Sequence, residues 1–331
     1  ICGMGQHRNV LAVLPGIGPD RGEVVLLEGH MDSRCAEVCD TECMAHGMED
    51  NATGTALVLE LARVMSQYAF NRTIVFMITT GEEQGLFGAN AFAEYAEQED
   101  IQIRGVYNND IVGGIICGAT ASPPGCPGLN AIDSINVRVY SSNGGLFGAS
   151  SSRLLARYSK LQYDENIAPI VPVAAEVNII SREDRAGRGG DHIPFRQRGY
   201  SAVRFTSANE HGNGNPSTPD YHDRQHTMED ILGVDTNDDG QIDSFFVDFN
   251  YLARNTVLNG SAAAASAMGP ATPDNFELEA TLAGVRYKFE DPAGTGLYRL
   301  GIRSFETETA YFDTLVTVTA LEDTLSWLPP G

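Results

Sequence analysis

The run Thr73-Ile-Val-Phe-Met-Ile-Thr79 leaves this chain few options. An unbroken apolar, β-branched stretch has no polar side to turn toward water, so it reads as a strand buried on both faces, inside a sheet that helices must cover. The run stops at Gly81, and two adjacent carboxylates, Glu82 and Glu83, follow before Gly85-Leu-Phe-Gly88 opens a helix. The doublet therefore falls at the C-terminal edge of a buried strand, which is where open α/β sheets bind ligands. Two neighbouring acids in such a place repel each other and lose hydration, so they need a cation or a shared proton. Taken alone, the pair is also compatible with a solvated surface loop.

The same pattern recurs along the chain. Asn9–Leu14 and Glu23–Glu28 read as strands separated by turn residues, and the second runs into Gly29-His30-Met31-Asp32. His30 and Asp32 are two apart, so continued strand geometry points them to one side. Asp50 lies just ahead of an amphipathic helix over Ala56–Tyr68, with Leu57, Leu61, Val64 and Met65 at helical spacing. Further helices are predicted over Leu86–Glu97, Ser151–Leu161 and Phe245–Met268, and further strands over Ile101–Asn109, Ile135–Tyr140, Val177–Ile180 and Ala202–Phe205. Asp110 ends the Ile101–Asn109 strand. This alternation predicts an α/β fold, a mainly parallel mixed sheet sandwiched by helices. After Gly269-Pro-Ala-Thr-Pro273, which reads as a linker, the period becomes strand-like with no helix. The expected domains are thus 1–270 and a small β module at 271–331, part of a fibronectin-type-III-like sandwich.

Charge narrows the partners. The formal net charge is −22, and lysine occurs only at Lys160 and Lys288, which argues against nucleic acid or anionic lipid, since both demand a basic face. No apolar run approaches the length of a membrane span. Cys2, Cys35, Cys39, Cys43, Cys117 and Cys126 sit in loop-like surroundings. They read as disulfides of an oxidising compartment, with Cys117 and Cys126 the most plausible pair. A zinc knot of Cys35, Cys39 and Cys43 near His46 is the alternative. Ile1 looks like the start of a processed or trimmed chain, and the expected location is secreted or periplasmic.

Asp235, Asn237, Asp239, Gln241 and Asp243 offer oxygens at alternate positions around Gly240. They resemble the first nine positions of a calcium loop, but Phe246 stands where a bidentate Glu is expected, and an Asx-rich turn is the other reading. The strand ends make the stronger case. A lone histidine is usually packed or solvated, and a lone Asp before a helix is usually a cap. Gathered at one sheet edge, His30, Asp32, Asp50, Glu82, Glu83, Asp110 and the histidines of Tyr221-His-Asp-Arg-Gln-His226 form an acidic pit that would be unstable without metal.

Gly29-His30-Met-Asp32, Asp50-Asn-Ala-Thr-Gly54, Gly81-Glu-Glu-Gln-Gly-Leu-Phe-Gly88, Asn109-Asp110 and His226-Thr-Met-Glu-Asp230, in that order, resemble the secreted bacterial dizinc aminopeptidases, relatives of the glutaminyl cyclases. The resemblance covers 1–270 and implies a catalytic domain there. It makes Asp50 the carboxylate bridging two zinc ions, with His30 and Asp110 completing one site and Glu83 and His226 the other. Glu82 becomes the general base, and Asp32 orients His30. His222 competes with His226, and the family pattern His-Thr-x-x-Asp favours His226. For His192, in Asp191-His-Ile-Pro-Phe195, the expectation is a supporting or packing role. The implied activity is release of N-terminal residues from peptides. Rival readings are a glutaminyl cyclase, a receptor-like ectodomain that lost its metals, and a carboxypeptidase or amide hydrolase in which Arg182, Arg185 and Arg188 receive a carboxylate.

Overall fold

In the computed structural model the described residues are 2–3, 5–118, 123–144, 150–180, 182–185, 188–209, 224–303 and 311–328. The apolar runs become strands that lie side by side. In chain order the first unit contains β1 (Val10–Leu14), β2 (Glu23–His30), α1 (Thr53–Met65), β3 (Thr73–Thr79), α2 (Phe87–Gln98), β4 (Gln102–Asn109) and β5 (Asn136–Ser141). These are followed by α3 (Ser151–Asn166), β6 (Glu176–Ile180), α4 (His192–Gln197), β7 (Ala202–Ser207), β8 (Gly233–Val234), β9 (Ser244–Phe245) and α5 (Phe249–Met268).

Seven strands form one sheet in the order β1-β3-β2-β4-β7-β5-β6. The central strands β3, β2, β4 and β7 are parallel, while β1 pairs antiparallel with β3 and β5 antiparallel with β7. The sheet is therefore mixed and flanked by helices, as the alternation of elements predicts. Beyond their first residue, both β2 and β3 are buried throughout, so each side chain must pack against something above or below. On one face Val25, Leu27, Phe76, Tyr107 and Phe205 join Leu57 and Leu61 of α1 and Leu258 and Ala262 of α5. On the other, Val24, Leu26, Met77 and Val106 meet Ala89, Ala93 and Ala96 of α2 and Phe195 of α4. The alanines of α2 let its backbone approach the sheet closely, and all three are fully buried.

α1 begins at Thr53, ahead of the expected Ala56. Gly54 explains the early start. A Cβ there would lie 2.1 Å from the carbonyl oxygen of Asn109, so only glycine lets the first turn of α1 sit directly on the end of β4. Asp50, in the turn Met48–Ala52, is thereby held beside the strand ends. α4 is an element the sequence pattern did not separate from its surrounding loop, and α5 starts at Phe249 because Ser244–Phe245 pairs as β9 with β8.

The chain divides into two compact units, Ile1–Ala267 and Met268–Gly331. In the second, β10 (Asp274–Thr281), β11 (Gly284–Glu290) and β14 (Glu322–Leu325) form one antiparallel sheet, and β12 (Tyr298–Ile302) pairs with β13 (Thr314–Val318). Tyr287 and Phe289 are its buried aromatic residues among those described, and the Phe289 and Tyr298 rings meet edge to face at 4.7 Å.

Candidate metal centre

Parallel pairing in register brings the chemistry to one edge of the first unit. His30, the last residue of β2, lies opposite Thr79, the last of β3, so the Gly81–Glu83 turn leaves its strand beside His30. Asp110 follows β4, the other neighbour of β2. Asp50 arrives from the turn before α1, and His226 from a segment far along the chain. His226 sits in the left-handed backbone region at φ 62°, a conformation that costs a non-glycine residue roughly 1–2 kcal/mol.

Asp50 faces both histidines. Its Oδ1 is 3.2 Å from His30 Nε2 and its Oδ2 is 3.2 Å from His226 Nε2. Asp110 Oδ1 stands 3.4 Å from His30 Nε2, and Glu83 Oε2 stands 2.9 Å from His226 Nε2. Two trios follow: His30, Glu82 and Asp110, and Asp50, Glu83 and His226, with the donor atoms of each within 4.8 Å of one another. All six residues nominated for the metals and the base are thus brought together. Asp50, Asp110 and His30 are almost wholly buried.

The site's proton affinities reflect this crowding. Burial works against the Asp50 carboxylate, yet hydrogen bonds from His226 and His30 override it and hold the group well below its usual range. Burial also opposes a charge on His30, but the carboxylates of Glu82, Asp110 and Asp50 push it well upward. Asp110 is likewise disfavoured by burial and kept low by the Arg204 charge and by His30. For Glu82 burial pushes the carboxyl well up, His30 pulls it back, and Asp110, Asp191 and Glu83 push it again.

The residues present fit a pair of divalent cations. Imidazole nitrogens and carboxylate oxygens are zinc's preferred hard and borderline donors. Glu83 Oε1 is buried without a hydrogen-bond partner among the described residues, an arrangement that costs stability unless a ligand completes it.

Two aspartates fix the ligand-bearing turns. The carboxylate of Asp32 accepts from the backbone N–H groups of Gly81, Glu82 and Glu83 at 2.8, 3.3 and 3.2 Å. Its Oδ1 is 3.9 Å from His30 Nδ1, which is nearer the Asp32 carbonyl oxygen, at 3.0 Å. Asp32 therefore organises the glutamate turn with its side chain and orients His30 mainly through its main chain. Asp230 does the same for the other turn, accepting from the N–H groups of Glu49 at 2.8 Å and Asp50 at 3.0 Å. Nothing in the sequence assigns Asp230 this task, although it stands within the His226 motif. Nor does the sequence single out Gln225, whose Nε2 donates to Asp50 Oδ2 at 2.7 Å, or Arg34, whose Nε donates to Glu83 Oε2 at 2.9 Å.

His222 lies outside the described residues. His192 is fully buried, with Nε2 2.9 Å from the Glu183 carbonyl oxygen, and joins neither trio. Arg185 and Arg188 line the same cavity as Asp50, Glu82 and His226, whereas Arg182 is exposed. Cys117 pairs with Cys126; Cys2 pairs with Cys39 and Cys35 with Cys43, which replaces the zinc-knot alternative by disulfides. Asp235 accepts backbone N–H groups from Asn237, Asp239 and Gly240, and Asp243 binds Thr236. Among the described residues that loop forms no metal trio and has the hydrogen bonding of an Asx-rich turn.

A mixed sheet between helices, with two trios of metal donors sharing one strand-end edge, describes a class of metal-dependent hydrolases. The profile of peptidase family M28 matches residues 9–116. Two probable zinc metalloproteases of Pyrenophora tritici-repentis are 34% identical over 282 residues (83% of this chain, 54% of the relative) and 30% identical over 317 residues (93% and 68%). The chain belongs to peptidase family M28. It spans about half the length of the first of these relatives, and both are fungal rather than bacterial. Among solved structures, a zinc aminopeptidase from Bacillus subtilis is similar in fold, with a TM-score of 0.53 and 20% identity, covering 80% of this chain and 51% of that one. A glutaminyl cyclase from an Acidobacteriales bacterium gives 0.52 and 17%, covering 78% and 73%.

Proposed function

We propose that this chain is a zinc-dependent exopeptidase, an aminopeptidase, that binds two zinc ions at the paired trios. One observation carries the reading: Asp50 directs one oxygen to each histidine, at 3.2 Å on both sides, so a single carboxylate serves both donor groups. His30 and Asp110 would complete one site and Glu83 and His226 the other. Bound there, the ions would supply Lewis acidity, polarising a peptide carbonyl and lowering the pKa of water to about 7.

The chain's own residues supply the rest. Glu82 belongs to the trio of His30 and Asp110, and its raised proton affinity suits a group that takes a proton from water and returns it to the leaving amine. Glu83, one residue on, turns its Oε2 to His226. Asp32 fixes both by holding their backbone N–H groups. The family membership and the name of the Bacillus subtilis structural neighbour support peptide hydrolysis from the amino terminus. The disulfides fit an oxidising, extracytoplasmic setting. In this reading residues 1–270 are the catalytic domain and 271–331 a separate β module.

The test combines metal content with turnover. Zinc is expected at two equivalents, with hydrolysis of aminoacyl anilides and none of N-blocked peptides. Glu82→Gln should lower turnover roughly 10²–10⁴-fold with zinc content intact. Activity on blocked peptides alone, or loss of zinc in that variant, would overturn the assignment.

A further inference from the structure

An acidic chain gathers arginine at a cavity lined by four carboxylates, Asp50, Glu82, Glu83 and Asp110. With Lys and Arg numbering 22 against 44 Asp and Glu, Arg34, Arg185 and Arg188 nevertheless line the cavity of about 300 Å³ that holds the two trios. The three are not alike. Arg185 is buried and bonded through Nε to Asp184 at 3.0 Å, a structural pairing. Arg34 and Arg188 are only partly buried.

Arg34 is pre-positioned. Its Nη1 donates to the carbonyl oxygens of Cys35 at 3.1 Å and Ala36 at 2.9 Å, and its Nε to Glu83. Cys35 is tied to Cys43 and Cys39 to Cys2, so the loop that follows Arg34 is cross-linked twice. Its Nη2 has no partner among the described residues. Arg188 has no side-chain hydrogen bond or ion pair among them either. Holding a guanidinium in place beforehand removes much of the ordering cost of binding; Arg34 offers its Nη2 as a charge-assisted donor, and the planar fork of Arg188 matches a carboxylate.

The carboxylates in this cavity have other work in the proposed reading: Asp50, Glu83 and Asp110 hold metal and Glu82 moves protons. The arginines are then left to face the substrate. We infer that Arg34 and Arg188 recognise a carboxylate of the substrate next to the scissile bond, making substrates that carry a carboxylate at that place the preferred ones. The carboxylate belongs either to an Asp or Glu side chain or to the free carboxyl terminus of a dipeptide, whose terminus lies one residue from the bond cut. This rests on the aminopeptidase reading for its chemistry, but the recognition can be measured without turnover.

Two matched pairs separate the sources: glutamyl against glutaminyl p-nitroanilide, and leucyl-glycine against leucyl-glycinamide. Specificity constants are measured for the zinc-loaded full chain, and calorimetry follows L-glutamate against L-glutamine and, in Glu82→Gln, leucyl-glycine against leucyl-glycinamide. The acid member of one pair should be preferred roughly 10–100-fold, carried by KM and matched in the calorimetric Kd. That preference should fall about tenfold in Arg188→Gln and partly return in Arg188→Lys; Arg34→Gln, with zinc assayed, is the second variant. Preference in the first pair assigns the side chain, and preference in the second assigns the terminus. Equal binding of acid and amide in both pairs overturns the inference, as does a preference that survives both arginine substitutions. Absence of hydrolysis and zinc, with acid preference retained in calorimetry, would instead sink the aminopeptidase reading alone.

Discussion

Along β2 the side chains alternate between two environments. Val25 and Leu27 join the cluster that includes α1 and α5, while on the opposite face Val24 and Leu26 are followed by Glu28 and His30. Neighbouring strands repeat the change. Glu28 pairs with Asn108 and Asn108 with Arg204, so a polar row crosses the sheet one layer beneath His30 and Asp110, close enough to Asp191 and His192 at the start of α4 for their charges to interact. Both oxygens of Glu28 and both polar atoms of the Asn108 amide are buried without partners among the described residues. Burying such groups is unfavourable, and a face used only for packing would carry none. Arg204 shows what the row accomplishes: its Nη2 lies 3.1 Å from Asp110 and its Nη1 3.1 Å from Asp184. One face supplies the stability that the other spends on holding a charged site, as local rules are broken mainly where function requires it.

That division predicts different phenotypes for neighbouring residues. The largest effect on stability belongs to the apolar face: Leu27→Ala, at a fully buried position, should destabilise the protein by about 2–5 kcal/mol. Denaturant melts measure this, and zinc stoichiometry in the folded fraction should stay at the wild-type value. Zinc loss without loss of stability would mean that the two faces are not separable in this way.

Next in size is the edge. Asp230→Ala removes the acceptor for the Glu49 and Asp50 amides, so Asp50 loses its fixed approach. Zinc affinity should fall roughly 10–100-fold, read by competition with a chromophoric chelator. The gap from wild type should be larger in chelator competition than in thermal stability of the metal-free protein; the reverse would make Asp230 a packing residue.

The legibility of the molecule follows the same line. The apolar face and the strand ends could be read because each depends on a local signal: an apolar run that stops, then an acid or histidine. His30, Glu82, Glu83 and Asp110 are each visible in that way, whereas Asp50 stands ahead of a helix and His226 is preferred to His222 only by resemblance to the family pattern. Support from a distance was not. Asp230 bonds to amides about 180 residues away, and no pattern within either segment announces that contact. Glu28 did leave a trace, as the one acid closing Val24-Val-Leu-Leu27, but an acid at a strand's end reads equally well as its exit into solvent. Cys117 and Cys126 close a short Pro-Gly loop and could be paired by proximity, whereas Cys2 with Cys39 depends on how a long insertion folds.

The smallest predicted effect probes the polar face directly, through Asp191. This residue is fully buried. Burial pushes its carboxyl up to about 7, His30 and a hydrogen bond from Thr79 oppose the shift, and Asp32 and Asp110 reinforce it. A carboxyl whose folded value exceeds its unfolded one contributes stability that is fully present below the unfolded value, about 3.9, and lost as pH rises through the folded value. For the metal-free protein the loss between about pH 6 and pH 7 should be roughly 1 kcal/mol, or some 2–4 °C in Tm for a unit of this size. His30 and His226, both raised, add a decline of the same sign, so the wild-type slope alone does not isolate Asp191. Asp191→Asn cannot ionise, and the comparison of its melts with wild type isolates Asp191 together with its interaction with His30. The variant should gain on wild type as pH rises through 7. Parallel curves would mean that Asp191 carries its charge in the folded protein, and that the face beneath the metal centre accommodates anions more readily than its unpartnered oxygens imply.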